Sequence, residues 1–184
     1  MENASAGMER LLRQAVLYAR MPLGVIAGAG LLLAGTVHVA AIRGVDVEAM
    51  WPSVWLLHGA LFPIVMLAAV TSAAAGARTR APGTRISLRE FLALVPVTAR
   101  LVIALALIYV IATLFFLGPL TGMGDPTVQD GRFFFNDHGI IREVTDSQFR
   151  LQRSLSLRLY SAVWVYLYLF AAVYVLCARR PANR

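Results

Sequence analysis

Apolar residues fall in four long runs, Pro22–Ile42, Val54–Ala75, Val97–Leu117 and Leu159–Cys177, with Arg100 the one charge inside them. At about 1.5 Å per helical residue, each run reaches across a hydrocarbon layer of about 30 Å. Hydrocarbon offers no partner to a backbone N–H or C=O. Each run must therefore pair its own backbone, and the pattern predicts four membrane-spanning helices.

The segments between the runs carry their own signals. In Met1–Arg20, Leu11, Leu12, Ala15, Val16 and Leu17 lie on one helical side and Arg10, Arg13 and Gln14 opposite. A short amphipathic interfacial helix is expected there, with Pro22 opening the first span at a position that tolerates proline. Trp51 and Trp55 suit an interface at the start of the second span, and Pro63 would kink it. The loop Gly76–Thr84, with Pro82-Gly83, reads as a turn. Ser87-Leu88-Arg89-Glu90 is a capping box, so a helix should start there, with Pro96 bending it into the bilayer.

Thr121–Asp146 is the least regular stretch. Gly122, Gly124, Asp125 and Pro126 mark a loop, Arg132–Phe135 and Ile140–Val144 read as two short strands, and Asp137-His138-Gly139 lies at the turn between them. An isolated hairpin is marginal in water, so Phe133, Phe134 and Phe135 must rest on a surface. A second capping box, Thr145 to Gln148, starts a helix that can run unbroken from Asp146 to Cys177, about 48 Å and longer than the hydrocarbon requires. The fold class expected is an all-α membrane protein: a single domain over 1–184, a four-transmembrane-helix bundle with a small periplasmic β-hairpin between helices 3 and 4. Residues 118–158 form the periplasmic segment.

Composition supports this picture. Hydrophobic residues make up 59% of the 184. The formal net charge of +7 comes from 17 basic residues, all of them arginine. Arginines concentrate in the first 20 residues, in Arg78–Arg89 and in the tail Arg179–Arg184, against few acids. Segments 43–53 and 118–158 are close to neutral. By the positive-inside rule both termini and the 76–90 loop are cytoplasmic. The basic charge then sets topology and meets anionic headgroups. It is split among three short segments, which argues against a nucleic-acid site. The arginine-only, alanine-rich composition fits a GC-rich bacterial genome, and the location expected is a bacterial inner membrane. The first span is expected to be an uncleaved anchor, since its apolar stretch is longer than a signal-peptide core. Cys177, the one cysteine, excludes an internal disulfide.

Candidate chemistry is sparse. His38, His58 and His138 fall toward the same side, and paired imidazoles on facing helices can ligate haem iron or a transition metal. No HxxxH or CxxC spacing accompanies them, and hydrogen bonding to a neighbouring helix is the plainer role. Arg100 could line a path for a small molecule or lipid, pair with a backbone carbonyl, or snorkel to headgroups. No Asp or Glu lies in the spans to complete a proton relay. Asp137, His138 and nearby Ser147 or Ser154 show no nucleophile-elbow pattern. Asp125, Asp130 and Asp137 match no calcium-loop spacing. The aromatic stretch from Tyr160 to Tyr174 reads as interface belt and packing, with a quinone or lipid slot as the other use. Gly24 and Gly28 form a GxxxG step that would pack within the chain or across a homodimer.

The segment Asp130-Gly-Arg-Phe-Phe-Phe-Asn-Asp-His-Gly139, continued by Ile-Arg-Glu-Val-Thr145 and Gln148-Phe149, resembles the outer loop of a family of small, uncharacterised bacterial four-helix inner-membrane proteins. In these an Asn-Asn/Asp-His-Gly turn precedes a Thr-capped helix running into the last span. The resemblance implies a shared architecture and no catalytic residue. With no convincing catalytic set, the function expected is that of a non-enzymatic accessory or interaction protein. Phe133, Phe134, Phe135, Asn136, Asp137, His138, Phe149 and Arg150 would meet a membrane or periplasmic protein partner. A haem- or metal-binding redox component using His38 and His58, and a transporter around Arg100, are the other readings.

Overall fold

The computed structural model of the chain describes residues 2–77, 87–121 and 124–177. In order along the chain are α1 (Glu2–Ile42), α2 (Val47–Met50), a 3-10 turn (Pro52–Trp55), α3 (Leu56–Ala77), α4 (Leu88–Ala93), α5 (Val97–Leu117), a second 3-10 turn (Gly118–Thr121), β1 (Asp125–Gln129), β2 (Arg132–Asp137), β3 (Ile140–Val144) and α6 (Asp146–Cys177). Among the described residues, four helical stretches are long and apolar enough to cross a membrane: Arg20–Ile42, Pro52–Thr71, Val97–Thr121 and Asp146–Cys177.

Their surfaces carry the stronger argument. The most apolar stretch, Val97–Thr121, has a mean hydropathy of 2.8, yet only 17% of it is buried within the chain. Ile103, Val110 and Thr113 form its buried stripe, while Leu101, Leu105, Ile108, Phe115 and Phe116 are all more than half exposed. Water does not tolerate so continuous an apolar face, and hydrocarbon does.

Three local details differ from the sequence expectations. First, α1 is one helix that continues through Pro22 instead of restarting there. Proline deletes one N–H, and the turns on either side hold the helix. The side chains of 2–13, 15–17 and 19, on which the amphipathic face depends, lie outside the described residues, as does the Pro82-Gly83 turn. Second, Pro96 ends α4 rather than bending a continuous helix: Leu94–Pro96 separate α4 from α5. The expected capping box is present, with the Ser87 hydroxyl accepting from Glu90 N–H and Glu90 Oε2 accepting from Ser87 N–H at 2.9 Å. Third, the hairpin is a three-stranded antiparallel sheet of order β1-β2-β3.

The described residues divide into two compact units. One comprises Met1–Leu31, Ala60–Ala104 and Leu167–Arg184. Its core includes Leu23, Ala27, Leu61, Ile64, Ala68, Ala171 and Tyr174. Gly24 lets Leu176 of α6 come so near that a Cβ would overlap it, and Gly30 does the same for the Tyr168 ring. Gly28, the other half of the GxxxG step, has nothing within 4 Å of a built Cβ. The Phe91 ring stacks on Tyr174 with centroids 4.4 Å apart. Arg20 donates from Nη2 to the Val175 carbonyl at 2.6 Å. That carbonyl lies near the described end of α6.

The other unit comprises Leu32–Gly59 and Leu105–Tyr166 and contains the sheet. Both hairpin turns have two residues with positive φ: Asp130 (48°) with Gly131 (75°), and His138 (52°) with Gly139 (93°). That geometry matches the right-handed twist of the strands it joins. Directly paired residues share a face, so Val128, Phe133 and Val144 line up on one side, with Pro126, Phe135 and Arg142 next to them. Phe133 meets Phe149 of α6 at 4.7 Å between centroids, and Phe135 and Phe149 are each 5% exposed. The sheet is stabilised because this apolar face lies on α6.

Candidate binding site beside the sheet

The site grows from the start of α6. Thr145 and Gln148 cap it reciprocally: Gln148 Oε1 accepts from Thr145 N–H at 3.0 Å, and Gln148 N–H donates to Thr145 Oγ1 at 3.3 Å. Once started, the helix places successive polar residues against neighbouring backbone. Gln152 Nε2 donates to the Thr121 carbonyl at 2.6 Å, and Ser154 Oγ donates to the Ala41 carbonyl at 3.1 Å.

Between them in sequence is Arg153. Its Nε lies 2.9 Å from Glu48 Oε2 and one of its Nη atoms 3.3 Å from Asp46. Asp46 also caps α2, accepting the Ala49 N–H at 3.2 Å. Glu48 Oε1 accepts the Trp55 indole N–H at 3.2 Å. Arg153 thus fastens the 43–55 link to α6. The three side chains are only 18–22% exposed, so the attraction is less screened than on an open surface.

Above this clamp opens a cleft of about 440 Å³, lined among others by Glu48, Trp55, His58, Asp125, Arg153 and Tyr160. A second cleft, of about 380 Å³, is lined by Asp125, Asn136, Asp137, His138 and Gly139. The two share Thr121, Gly124 and Asp125. Gly124 lies where the two clefts meet. Its φ is +96°, and a Cβ would lie 2.7 Å from the Asn136 carbonyl carbon. Only glycine fits both the backbone angle and the gap.

The residues singled out in the sequence divide into two groups. Phe133, Phe135 and Phe149 are engaged in packing, and Phe134 is half-buried. Asn136 Oδ1 accepts the Gly139 N–H at 2.9 Å and so closes the turn. Arg150 pairs with Asp146 one turn away. Asp137 and His138 stand at the open second cleft, 2.8 Å apart. The Asp137 hydrogen bond, followed by its charge, raises the His138 imidazole above the usual histidine value.

The other histidines serve as hydrogen-bond hubs. The Ser161 hydroxyl donates to the Arg158 carbonyl, so it receives the proton of His38 Nδ1 at 2.9 Å. His38 Nε2 then accepts the Tyr109 hydroxyl at 2.6 Å. A metal bound at either nitrogen would displace one of these partners. His58 Nδ1 accepts the Trp164 indole N–H at 2.9 Å, and Trp164 is fully buried behind it. Among the described residues, no group of three or more His, Cys, Asp or Glu side chains is placed to hold a metal. Arg100 donates from Nε to the Val95 carbonyl at 3.0 Å, at the break where Pro96 interrupts the helical ladder.

Sequence reading missed the clamp. Its signal was present: Asp46 and Glu48 lie on a link that topology assigns to the same side as the free end of the last helix, where Arg153 is. Comparison with protein-family models, with curated proteins and with solved structures found no match to this chain.

Proposed function

We propose that this chain is a non-enzymatic integral protein of a bacterial inner membrane, with both termini cytoplasmic, that presents its sheet on the periplasmic side to a membrane or periplasmic protein partner. The arginine distribution supports the orientation. One observation carries the binding role: β3 is an edge strand, paired only with β2 among the described strands, and its Ile140 and Ile141 are 58% and 54% exposed. An edge strand offers a row of backbone donors and acceptors to an incoming strand, and apolar side chains on both faces add affinity. The turn residues Asn136, Asp137 and His138 border this edge and supply polar contacts. The buried aromatic residues act indirectly, by holding the sheet on a rigid helix.

Photo-cross-linking tests the proposal. A benzophenone amino acid at Arg142, in intact cells, is expected to trap one discrete protein. The trap should be lost when Ile140→Asp and Ile141→Asp are added. Absence of a discrete product, or a product indifferent to those changes, would contradict it.

A further inference from the structure

The cleft beside the Arg153 clamp has walls of unusual composition. Three of its rings, Trp55, His58 and Tyr160, stand nearly perpendicular to one another. Trp55 and Tyr160 cross at 75° with centroids 5.2 Å apart, Trp55 and His58 at 76° and 6.3 Å, and His58 and Tyr160 at 80° and 6.1 Å. Each ring is held. Glu48 fixes the Trp55 indole, Trp164 fixes the His58 imidazole through Nδ1, and the edge-to-face contacts fix Tyr160. Two carboxylates, Glu48 and Asp125, line the same space. Among the described lining residues the one cation, Arg153, is already paired with Asp46 and Glu48. Around the cleft the acids Asp46, Glu48 and Asp125 outnumber that single arginine. Asp125 is exposed, with no side-chain hydrogen bond or ion pair to another described residue.

Buried Trp164 packs behind Trp55 and His58, with centroids 5.5 and 6.0 Å away, which accounts for the inner sides of these rings and leaves the sides that line the cleft. The cleft, of about 440 Å³, is open to solvent and brings aromatic rings and carboxylates to one surface. Mutually perpendicular aromatic faces with an adjacent carboxylate attract a soft, poorly hydrated organic cation, through the negative ring faces and through charge. A small metal ion would want several oxygen ligands, and an anion would meet the carboxylates.

From this geometry we infer that the cleft formed by Trp55, His58, Tyr160, Glu48 and Asp125 binds an alkylammonium group. Two sources share that chemistry: a free quaternary or primary amine in solution, and the headgroup of an amine-bearing phospholipid. Both can reach a water-open cleft beside the start of an apolar helix. The site goes beyond partner docking and does not depend on it.

Calorimetric titration of choline chloride into the full-length protein, held in phosphatidylglycerol nanodiscs, is the test. Saturable binding is expected for choline, with none for its neutral isostere 3,3-dimethylbutan-1-ol under the same conditions. Trp55→Leu or Tyr160→Leu should weaken binding about 10-fold. Trp55→Phe and Tyr160→Phe, which keep a ring, should stay within about 3-fold of the parent. Asp125→Asn should weaken binding without altering the thermal transition. In a second arm the protein is extracted from phosphatidylethanolamine-containing membranes and weighed by native mass spectrometry. Retention of one amine lipid, released by choline, assigns the headgroup as source; choline binding without lipid retention assigns a free amine. Equal binding of choline and its isostere, no saturable heat with choline, or indifference to both the ring-removing and the Asp125 variants would overturn the inference. The β3 changes Ile140→Asp and Ile141→Asp should leave the choline titration intact, so failure of partner docking and failure of this site read separately.

Discussion

Arg153 and Glu48 lie 105 positions apart in the chain and meet at 2.9 Å, Nε to Oε2. Removing the arginine strands two carboxylates that are about four-fifths covered. Arg153→Met is expected to cost roughly 1–3 kcal/mol, between an exposed and a buried pair. Arg153→Lys should recover only part of that, because an ammonium cannot reproduce the fork that reaches both acids. Thermal unfolding in micelles measures both. In a cycle with Glu48→Gln the two changes should be clearly less than additive. Strict additivity would mean the clamp holds nothing.

His38 joins the Tyr109 hydroxyl to the Ser161 hydroxyl. His38→Leu removes the acceptor of the Tyr109 hydroxyl and the donor to Ser161, which keeps its bond to the Arg158 carbonyl, and should destabilise by about 1–3 kcal/mol. Tyr109→Phe removes one bond and should cost about 1 kcal/mol. A melting temperature unchanged by His38→Leu would show that the hub has no structural role.

Gly124 approaches the β2 backbone more closely than any Cβ allows. Gly124→Ala is expected to cost at least about 1–3 kcal/mol and to strip β1 amides of hydrogen-exchange protection. Gly131→Ala, with φ at +75° but open space around it, should cost about 1 kcal/mol. If the two behave alike, the close approach at Gly124 is unimportant.

His138 titrates beside Asp137. Its imidazole NMR shift should change with a midpoint above the usual value of about 6.5, and Asp137→Asn should bring that midpoint down. Since the folded value is raised, the contact is fully formed below the ordinary midpoint. It is lost as pH rises through the raised one. A midpoint unaffected by Asp137→Asn would remove the assigned cause.

Much of this fold is legible because it depends on patterns within one segment. The apolar runs mark the four helices long and apolar enough to cross a membrane, and Thr145 with Gln148 marks the start of a helix that does run from Asp146 to Cys177. The Asp137-His138-Gly139 signal marks the β2–β3 turn. Strand β1 is harder to see: it is five residues long, includes Pro126, and follows two glycines that read as loop. Its pairing partner, not its own sequence, makes it a strand. The Asp130-Gly131 step was the available clue. The site is less legible for a similar reason. Trp55 and Tyr160 look like interface aromatics when each is read on its own helix. The cleft exists only where the 43–55 link, the start of α3, α6 and β1 converge, and sequence periodicity carries no record of that distance.

Side-specific cysteine labelling tests the central claim most directly, namely that four spans carry the sheet to the face opposite both chain ends. A membrane-impermeant maleimide is applied to spheroplasts of two forms: the native chain, with exposed Cys177 at the end of α6, and Asp130→Cys in a Cys177→Ser background. The expected result is labelling of the position-130 variant in intact spheroplasts and of Cys177 only after lysis. Labelling of Cys177 from outside, protection of position 130, or recovery of the protein without detergent would contradict it.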